Sequence, residues 1–439
     1  MDYLKSLISK SKRADELRKS LEIEGSTVHL EQMVGGAFSL YAATTIERLG
    51  GIHVFLLEDR DRAAYLANDL YELLDEERVV FFASGHKRSA AYGAEDAQGV
   101  VRRTATLNAV SNFRGGYLAI CTYPEALAES VADRTRLDSN SKHVAVGDSM
   151  EQSDLVAWLG DHNFERVDFV YEPGQYSVRG GIVDVFSYVE SKPYRIDFFG
   201  NEVDSIRRFD ISSQLSAERP EEVDIIPNMM RSTGEARVSL AQFIGEATWW
   251  IDDGDYALRK ITDIRKKVLE QAESAEDIAL LTSKVTSRQT LIQDWSGSRL
   301  VMLKDNIRER RATTTITFDT SPQPAFNRNF AMLADDIRWN KERGYEILIL
   351  SHNKAQIERL TNIFHQTGRH GVEFHATDLV LHEGFIDNTL KVCIYTDHQI
   401  FDRYQRYHIR GEIKRDEQMT VAELNALKVG DYVVPSWLR

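Results

Sequence analysis

Several groups of residues in this 439-residue chain have types and spacings that could do chemistry. Gln32-Met33-Val34-Gly35-Gly36-Ala37-Phe38-Ser39, at the start of a helical pattern, has the outline of a phosphate loop. Such a loop wraps phosphates in backbone N–H groups, neutralises them with a lysine and holds magnesium with a hydroxyl. In register, Ser39 takes the hydroxyl position, but Phe38 stands where the lysine belongs and neither required glycine position holds Gly. The nucleotide charge would be uncompensated, so the segment reads as a tight turn between strand and helix. Asp252-Asp253, after the apolar Trp249-Trp250-Ile251, has the outline of a metal-holding carboxylate pair at a strand end. With no lysine to complement it, catalysis is not expected there. His365, His370 and His375 are three imidazoles in a short span. Their spacing fits neither one helical face nor a recognised zinc-ligand pair, and they read as surface-loop histidines. The run Arg308-Glu309-Arg310-Arg311 reads as a solvated helix end. No nucleophile–base arrangement stands out, and neither a metal nor a cofactor is expected.

A different chemistry is offered by Tyr171 to Asp210, which reads as two successive β-hairpins rich in Val, Ile, Tyr and Phe. Its first turn signal is Glu172-Pro173-Gly174 and its last is Gly200-Asn201-Glu202. Side chains of Tyr194 to Phe199 alternate faces, so Ile196 and Phe198 share one side and Arg195, Asp197 and Phe199 the other. Arginines beside an exposed aromatic are the composition of an interface hot spot. Gly180-Gly181, directly after Arg179, would let another backbone approach closely. The competing reading is that Arg179, Arg195, Arg207 and Arg208 only solubilise a sheet edge, pairing with Asp184, Asp197, Asp204 and Glu202.

The elements that must carry these groups change character along the chain. Up to about Glu129, buried-type runs (Ile52–Leu57, Val79–Phe82, Tyr117–Cys121) alternate with helical segments (Asp61–Leu74, Gly99–Asn112). That pattern predicts a largely parallel sheet covered by helices. A polar stretch from Asp133 to Lys142 reads as a boundary, followed by a helix near Met150–Leu159 and the hairpins. Ile264–Leu281 is helical in pattern and Thr313–Phe318 reads as a strand. Ser321-Pro322-Gln323-Pro324 reads as a linker. A small α/β unit follows, with helices at Phe326–Arg343 and Asn353–His365 and strands at Glu346–Leu350 and Lys391–Tyr395. The net charge of −14 argues against a general nucleic-acid binder. Two cysteines, Cys121 and Cys393, lie far apart in apolar runs, and no apolar stretch is long enough to span a bilayer. A cytoplasmic protein with reduced thiols is expected.

Three segments together resemble the bacterial transcription-repair coupling factors (Mfd), in their UvrB-like N-terminal module. They are Glu172-Pro173-Gly174-Gln175-Tyr176-Ser177-Val178-Arg179-Gly180-Gly181-Ile182-Val183-Asp184-Val185-Phe186, Pro193-Tyr194-Arg195-Ile196-Asp197-Phe198-Phe199-Gly200, and Ser205-Ile206-Arg207-Arg208-Phe209-Asp210. The likeness extends over nearly the whole chain, including Phe81–Ser84 through Arg88–Gly93 and the closing Val429–Val434. It implies an α/β multidomain chain: a degenerate P-loop, helicase-like domain (1–138 and 229–321) split by an α+β UvrA-binding hairpin domain (139–228). A small α/β domain (322–424) and the truncated start of an RNA-polymerase-interacting domain (425–439) would follow.

The resemblance further implies DNA repair by transcription-coupled nucleotide excision, with UvrA bound through Arg179, Arg195 and Phe199. It implies no catalysis, with Gly35, Gly36, Phe38 and Ser39 as a lost phosphate loop and Asp252-Asp253 as the remnant of a magnesium-binding strand end. Contacts with RNA polymerase and DNA, and the ATP-driven motor, would belong to family domains beyond this chain. A chain ending here would present its UvrA surface constitutively, either to recruit UvrA or to sequester it from UvrB. The alternative is an ATP-dependent, UvrB-like helicase or damage loader, which would keep the lysine that Phe38 replaces.

Overall fold

The computed structural model describes residues 2–86, 96–134, 141–211, 213–229, 237–368 and 371–409. The expectations placed on 87–93, on His370 and on 425–439 lie outside the described residues, as does most of the polar boundary after Asp133. The described chain divides into two units: one is built from residues before 140 and from 228 to 409, the other from the residues between 140 and 227.

Seven short strands of the first unit form one sheet, in the order Thr314–Thr317, Thr27–Glu31, Arg299–Met302, Thr248–Ile251, Gly51–Leu56, Tyr117–Thr122, Val79–Phe81. Every pairing is parallel. A parallel sheet carries helices on both faces, which is why its strands are continuous apolar runs. Trp249, Trp250, Ile251, Val54 and Phe55 are all buried. The two chain segments interleave: Thr27–Glu31 lies between Thr314–Thr317 and Arg299–Met302, and Gly51–Leu56 pairs with Thr248–Ile251, placing Trp250 opposite Phe55. The Trp250 indole N–H donates to His53 Nδ1 (3.1 Å), so His53 Nε2 carries the proton toward Gly50 O (2.9 Å). Burial pushes the His53 pKa down to about 4, keeping the ring neutral. Val131–Ala132 pairs antiparallel with Arg237–Val238, so the chain leaves and re-enters this unit as adjacent strands.

The helices follow local signals. Arg60–Leu73 begins at Asp59, whose carboxylate accepts from Arg62 N–H. The single helical pattern expected over Ile264–Leu281 is instead two helices, Gly254–Leu269 and Ala275–Lys284. Ser274 breaks it by capping the second helix, accepting from Asp277 N–H. The helix expected from Phe326 starts at Phe330, because Asn327 and Arg328 have positive φ and Asn329 is the cap.

The supposed linker at 321–324 is also different. Thr320–Pro322 is an edge strand paired antiparallel with Phe385–Asp387. Proline is tolerated there because an edge strand does not need every N–H. Gln323 is buried, and its Oε1 accepts from Thr396 N–H at 2.7 Å. This strand opens a five-stranded sheet, continuing through Phe385–Asp387, Val392–Thr396, Glu346–Leu350 and His375–Thr377.

Arg308–Arg311 is not a solvated helix end but a loop around a structural guanidinium. Arg310 donates to the carbonyls of Trp295, Ser296 (2.7 Å), Ser298 (2.9 Å) and Gly25 (3.2 Å), and to Thr27 Oγ1 (3.0 Å). Those carbonyls come from loops flanking two parallel strands. Arg310→Ala strands several partly buried acceptors and is expected to lower stability by about 2–4 kcal/mol. Denaturant unfolding followed by near-ultraviolet circular dichroism of the buried tryptophans checks this.

Candidate functional site

The second unit is built on a six-stranded sheet in the order Ser216–Glu218, Glu202–Phe209, Tyr194–Phe199, Ile182–Val185, Gln175–Arg179, Glu165–Arg166. One face is its core: Val183, Val185, Tyr194, Ile196, Val203 and Ile206 pack with Leu155 and Leu159 of helix Gln152–Asp161. Lys142–Ala145 pairs antiparallel with Glu222–Ile225, so here too the entering and leaving segments are neighbours.

The two expected hairpins are present and joined into one antiparallel meander, since Ile182–Val185 also pairs with Tyr194–Phe199. Gly200-Asn201 is the second turn, as its sequence suggested. The first turn is Gly180-Gly181, between Arg179 and Ile182, rather than Glu172-Pro173-Gly174. Gly180 has φ +60°, which a two-residue turn requires. A Cβ on Gly181 would lie 2.8 Å from Phe198 O, so the backbone that approaches this glycine belongs to the sheet itself.

Alternation places Ile196 and the partly buried Phe198 on the core side, and Arg195, Asp197 and Phe199 on the other. On that outer side, register sets Asp184 between Ser177 and Arg195, with Arg207 beyond. Asp184 is 1% exposed. Arg195 grips it with a fork, Nε to Oδ1 at 2.7 Å and Nη2 to Oδ2 at 2.9 Å, and Arg179 donates to the same Oδ2. The Arg195 guanidinium lies over the buried Phe209 ring at 4.4 Å, and its Nη2 reaches Gln214 Oε1 at 3.3 Å. Arg179 lies over Phe169 at 5.0 Å. One carboxylate thus serves two guanidiniums, leaving a net positive charge in this row. In the next row Arg207 and Ser205 both bond Asp197, which balances.

Arg208 departs from the outer set. It alternates with Arg207 and lies opposite the core residue Tyr194, and its guanidinium turns to Glu190 and Glu218. Pairing with internal acids therefore accounts for Arg207, Arg208 and much of Arg195, through partners partly different from those expected. It does not account for Phe199, which is 83% exposed. Phe169, Tyr171 and Leu215 are also exposed and were missed from sequence. The signal for two of them was alternation about Val170, which is 1% exposed between Phe169 and Tyr171.

The segment expected to be a lost phosphate loop is covered by the protein's own groups. Gly36 caps helix Ala37–Leu49, and its N–H donates to Glu383 O at 3.0 Å. A Cβ on Gly35 or Gly36 would fall 2.7 Å or 2.5 Å from the carbonyl oxygens of Gly384 and Glu383. Phe38 sits edge-on to Phe55 and Trp250, 6.0 Å from each ring, and Ser39 Oγ donates to the buried Asp69 at 2.6 Å. Asp252 pairs with Arg62 at 3.0 Å. Asp253 caps helix Gly254–Leu269 and holds Lys304 (2.8 Å) and Asn306 (2.7 Å). His365 lies on helix Lys354–Gln366 and His375 on a strand. Among the described residues no group of three or more His, Cys, Asp or Glu is placed to hold a metal, and no helix is long and apolar enough to cross a membrane.

Residues 143–230 match the family of UvrB interaction domains. About half of the chain is similar to transcription-repair-coupling factors. The Escherichia coli K12 protein is 26% identical over 227 residues, 52% of this chain and 20% of that protein. The Bacillus subtilis 168 protein is 25% identical over 228 residues, 52% of this chain and 19% of that one. The Myxococcus xanthus protein is 35% identical over 102 residues, 23% of this chain and 8% of that relative. The chain thus spans about a fifth of the length of the first two relatives.

The geometry separates structural from displayed groups. Asp184→Ala leaves Arg195 without its buried partner and is expected to cost the hairpin unit about 3–5 kcal/mol. Phe199→Ala touches no core contact and should stay within about 0.5 kcal/mol of the parent. Urea unfolding read at Trp158, in this unit, distinguishes the two.

Proposed function

We propose that the hairpin unit docks UvrA, and that this chain acts as a non-catalytic recruiting module in transcription-coupled nucleotide excision repair. The observation that carries this is the exposed Phe199 on the same outer face of the sheet as Arg179 and Arg195, within the segment that matches UvrB interaction domains. Phe199 is the anchor: a rigid aromatic with no intramolecular role, ready to fill a pocket in a partner. Arg179, 40% exposed at its side chain, offers its free N–H donors to a partner carboxylate. Arg195 has 15% of its side chain exposed and acts mainly by holding Asp184, which in turn fixes Arg179. A guanidinium already held in place loses less side-chain entropy on binding. The functional boundaries we assign are residues 139–228 for this docking domain, with the flanking 1–138 and 229–321 forming its helicase-like support.

The reading as an ATP-dependent helicase or damage loader has less support. Phe38 replaces the charge-neutralising lysine, and the Gly36 N–H that would face a phosphate is bonded to Glu383 O. Asp252 and Asp253 are both committed to basic side chains.

Phe199→Ala is expected to weaken UvrA binding by about 2 kcal/mol, roughly 30-fold, and the Arg179→Ala/Arg195→Ala/Phe199→Ala variant to abolish it. Calorimetric titration with UvrA reads the affinity and circular dichroism reads the fold of each variant; Phe199→Ala alone carries the test if the triple variant, which strips both guanidiniums from Asp184, unfolds. Unchanged affinity in a folded triple variant would overturn the assignment. Titration with ATP and magnesium is expected to show no saturable binding, and a saturable isotherm would restore the helicase reading.

A further inference from the structure

Helix Arg60–Leu73 presents an almost wholly polar face to the lobe built on the five-stranded sheet. Asp61, Tyr65, Asn68, Asp69 and Glu72 follow helical spacing and all find partners in that lobe. Asp61 Oδ1 accepts from the Tyr407 hydroxyl (3.0 Å), and Asn68 Oδ1 accepts from His408 N–H (3.1 Å). The Tyr65 ring stacks on His382 with centroids 3.6 Å apart. Asp69 Oδ1 accepts from His382 N–H (2.6 Å), and Glu72 meets His352 Nε2 at 2.9 Å. His352 Nδ1 meets Asp378 at 2.7 Å, so this imidazole bridges two carboxylates from different elements. His398 Nε2 donates to His382 O at 2.8 Å. The next residues after His382 are Glu383 and Gly384, whose carbonyls cover Gly35 and Gly36.

We propose that this seam is a proton-sensitive latch, closed most tightly in mildly acidic solution, which holds the Leu381–Gly384 segment as a lid over the first turn of helix Ala37–Leu49. A seam held by hydrogen bonds and ion pairs responds to protonation in a way that an apolar seam does not. The groups facing Asp69 are Ser39, the His382 amide, Glu383, Glu72 and, from the parallel sheet, Cys121. Those facing His352 are Glu72 and Asp378, with Lys354 near the latter. Those facing His382 are Glu383, Gln405, His398 and Arg62, and His398 also faces Asp397 and Arg403.

Burial pushes Asp69 up to about 7, so the closed seam holds a proton there that the open one releases. Closure therefore weakens as pH rises from the ordinary carboxylate range through about 7. Burial opposes charge on His352, but its bonds to Asp378 and Glu72 outweigh this and raise its pKa. Its contribution is complete below the ordinary histidine value and is lost as pH rises through the raised one. Burial lowers His382 and His398, so their contribution is lost on the acid side. Asp69 and His352 thus weaken closure on the alkaline side and His382 and His398 on the acid side, with closure tightest between the two.

Hydrogen–deuterium exchange of the whole chain tests this, because the Gly36 N–H is bonded to Glu383 O across the seam whereas Val54 lies in the centre of the parallel sheet. After correction for intrinsic exchange, protection of the peptide containing Gly36 should fall about tenfold between pH 6 and pH 8 while that of Val54 holds. Asp69→Asn/His352→Gln should flatten that dependence. His352→Gln alone, at a side chain 50% exposed, should reduce it in the same direction and keeps the test valid if the double variant fails to fold. Equal protection of Gly36 at both pH values, parallel loss at Gly36 and Val54, or an unaltered dependence in the variants would each overturn the latch.

Discussion

The pairing of Gly51–Leu56 with Thr248–Ile251 is the contact on which the first unit depends. It joins two stretches of chain separated by the whole hairpin unit, at the centre of the sheet, and Thr27–Glu31 joins them again by lying between Arg299–Met302 and Thr314–Thr317. Neither stretch can bury its apolar strands alone: four strands precede the interruption and three follow it. Trp250 against Phe55, with its indole fixed on a neutral His53, makes that junction both apolar and directional. Phe38 packs into the same cluster. The side chain standing where a phosphate-binding lysine would project is thus part of what holds the sheet together.

In the hairpin unit the equivalent constraint is Asp184. A carboxylate that is 1% exposed must be paired, and it is satisfied by two guanidiniums on neighbouring strands. The same bonds that neutralise it hold Arg179 and Arg195 in fixed directions on the outer face. Loss of either arginine therefore also strips a partner from the buried carboxylate. Phe199, at the end of its strand beside a two-residue turn, carries no such double duty.

The parallel sheet was legible because strands covered on both faces are continuous apolar runs, and Trp249-Trp250-Ile251 or Tyr117–Cys121 admit few other readings. The outer face of Tyr194–Phe199 was legible because alternation has a strict period of two. What failed depended on distant partners. Gly180-Gly181 and Glu172-Pro173-Gly174 both carry turn chemistry, and only strand register shows which one closes the hairpin. Pro322 suggested a linker because its edge position depends on Phe385–Asp387, more than sixty residues later. Arg310 looked solvated because its acceptors lie on loops that meet only in the folded sheet. The covering of Gly35 and Gly36 by Glu383 and Gly384 joins residues almost the length of the chain apart, and no local pattern encodes it.

The short antiparallel ribbons have a further consequence. Val131–Ala132 pairs with Arg237–Val238 in one unit, and Lys142–Ala145 with Glu222–Ile225 in the other. Each unit therefore presents the inserted chain as two adjacent strands running in opposite directions, the arrangement of a hairpin stem. An ancestral gene could have gained the inserted unit at a single surface turn, since the parent sheet needs only a few residues to reconnect the stem. The same stem makes the inserted unit a cassette, closed at its base so that its presence disturbs no strand of the sheet that carries it.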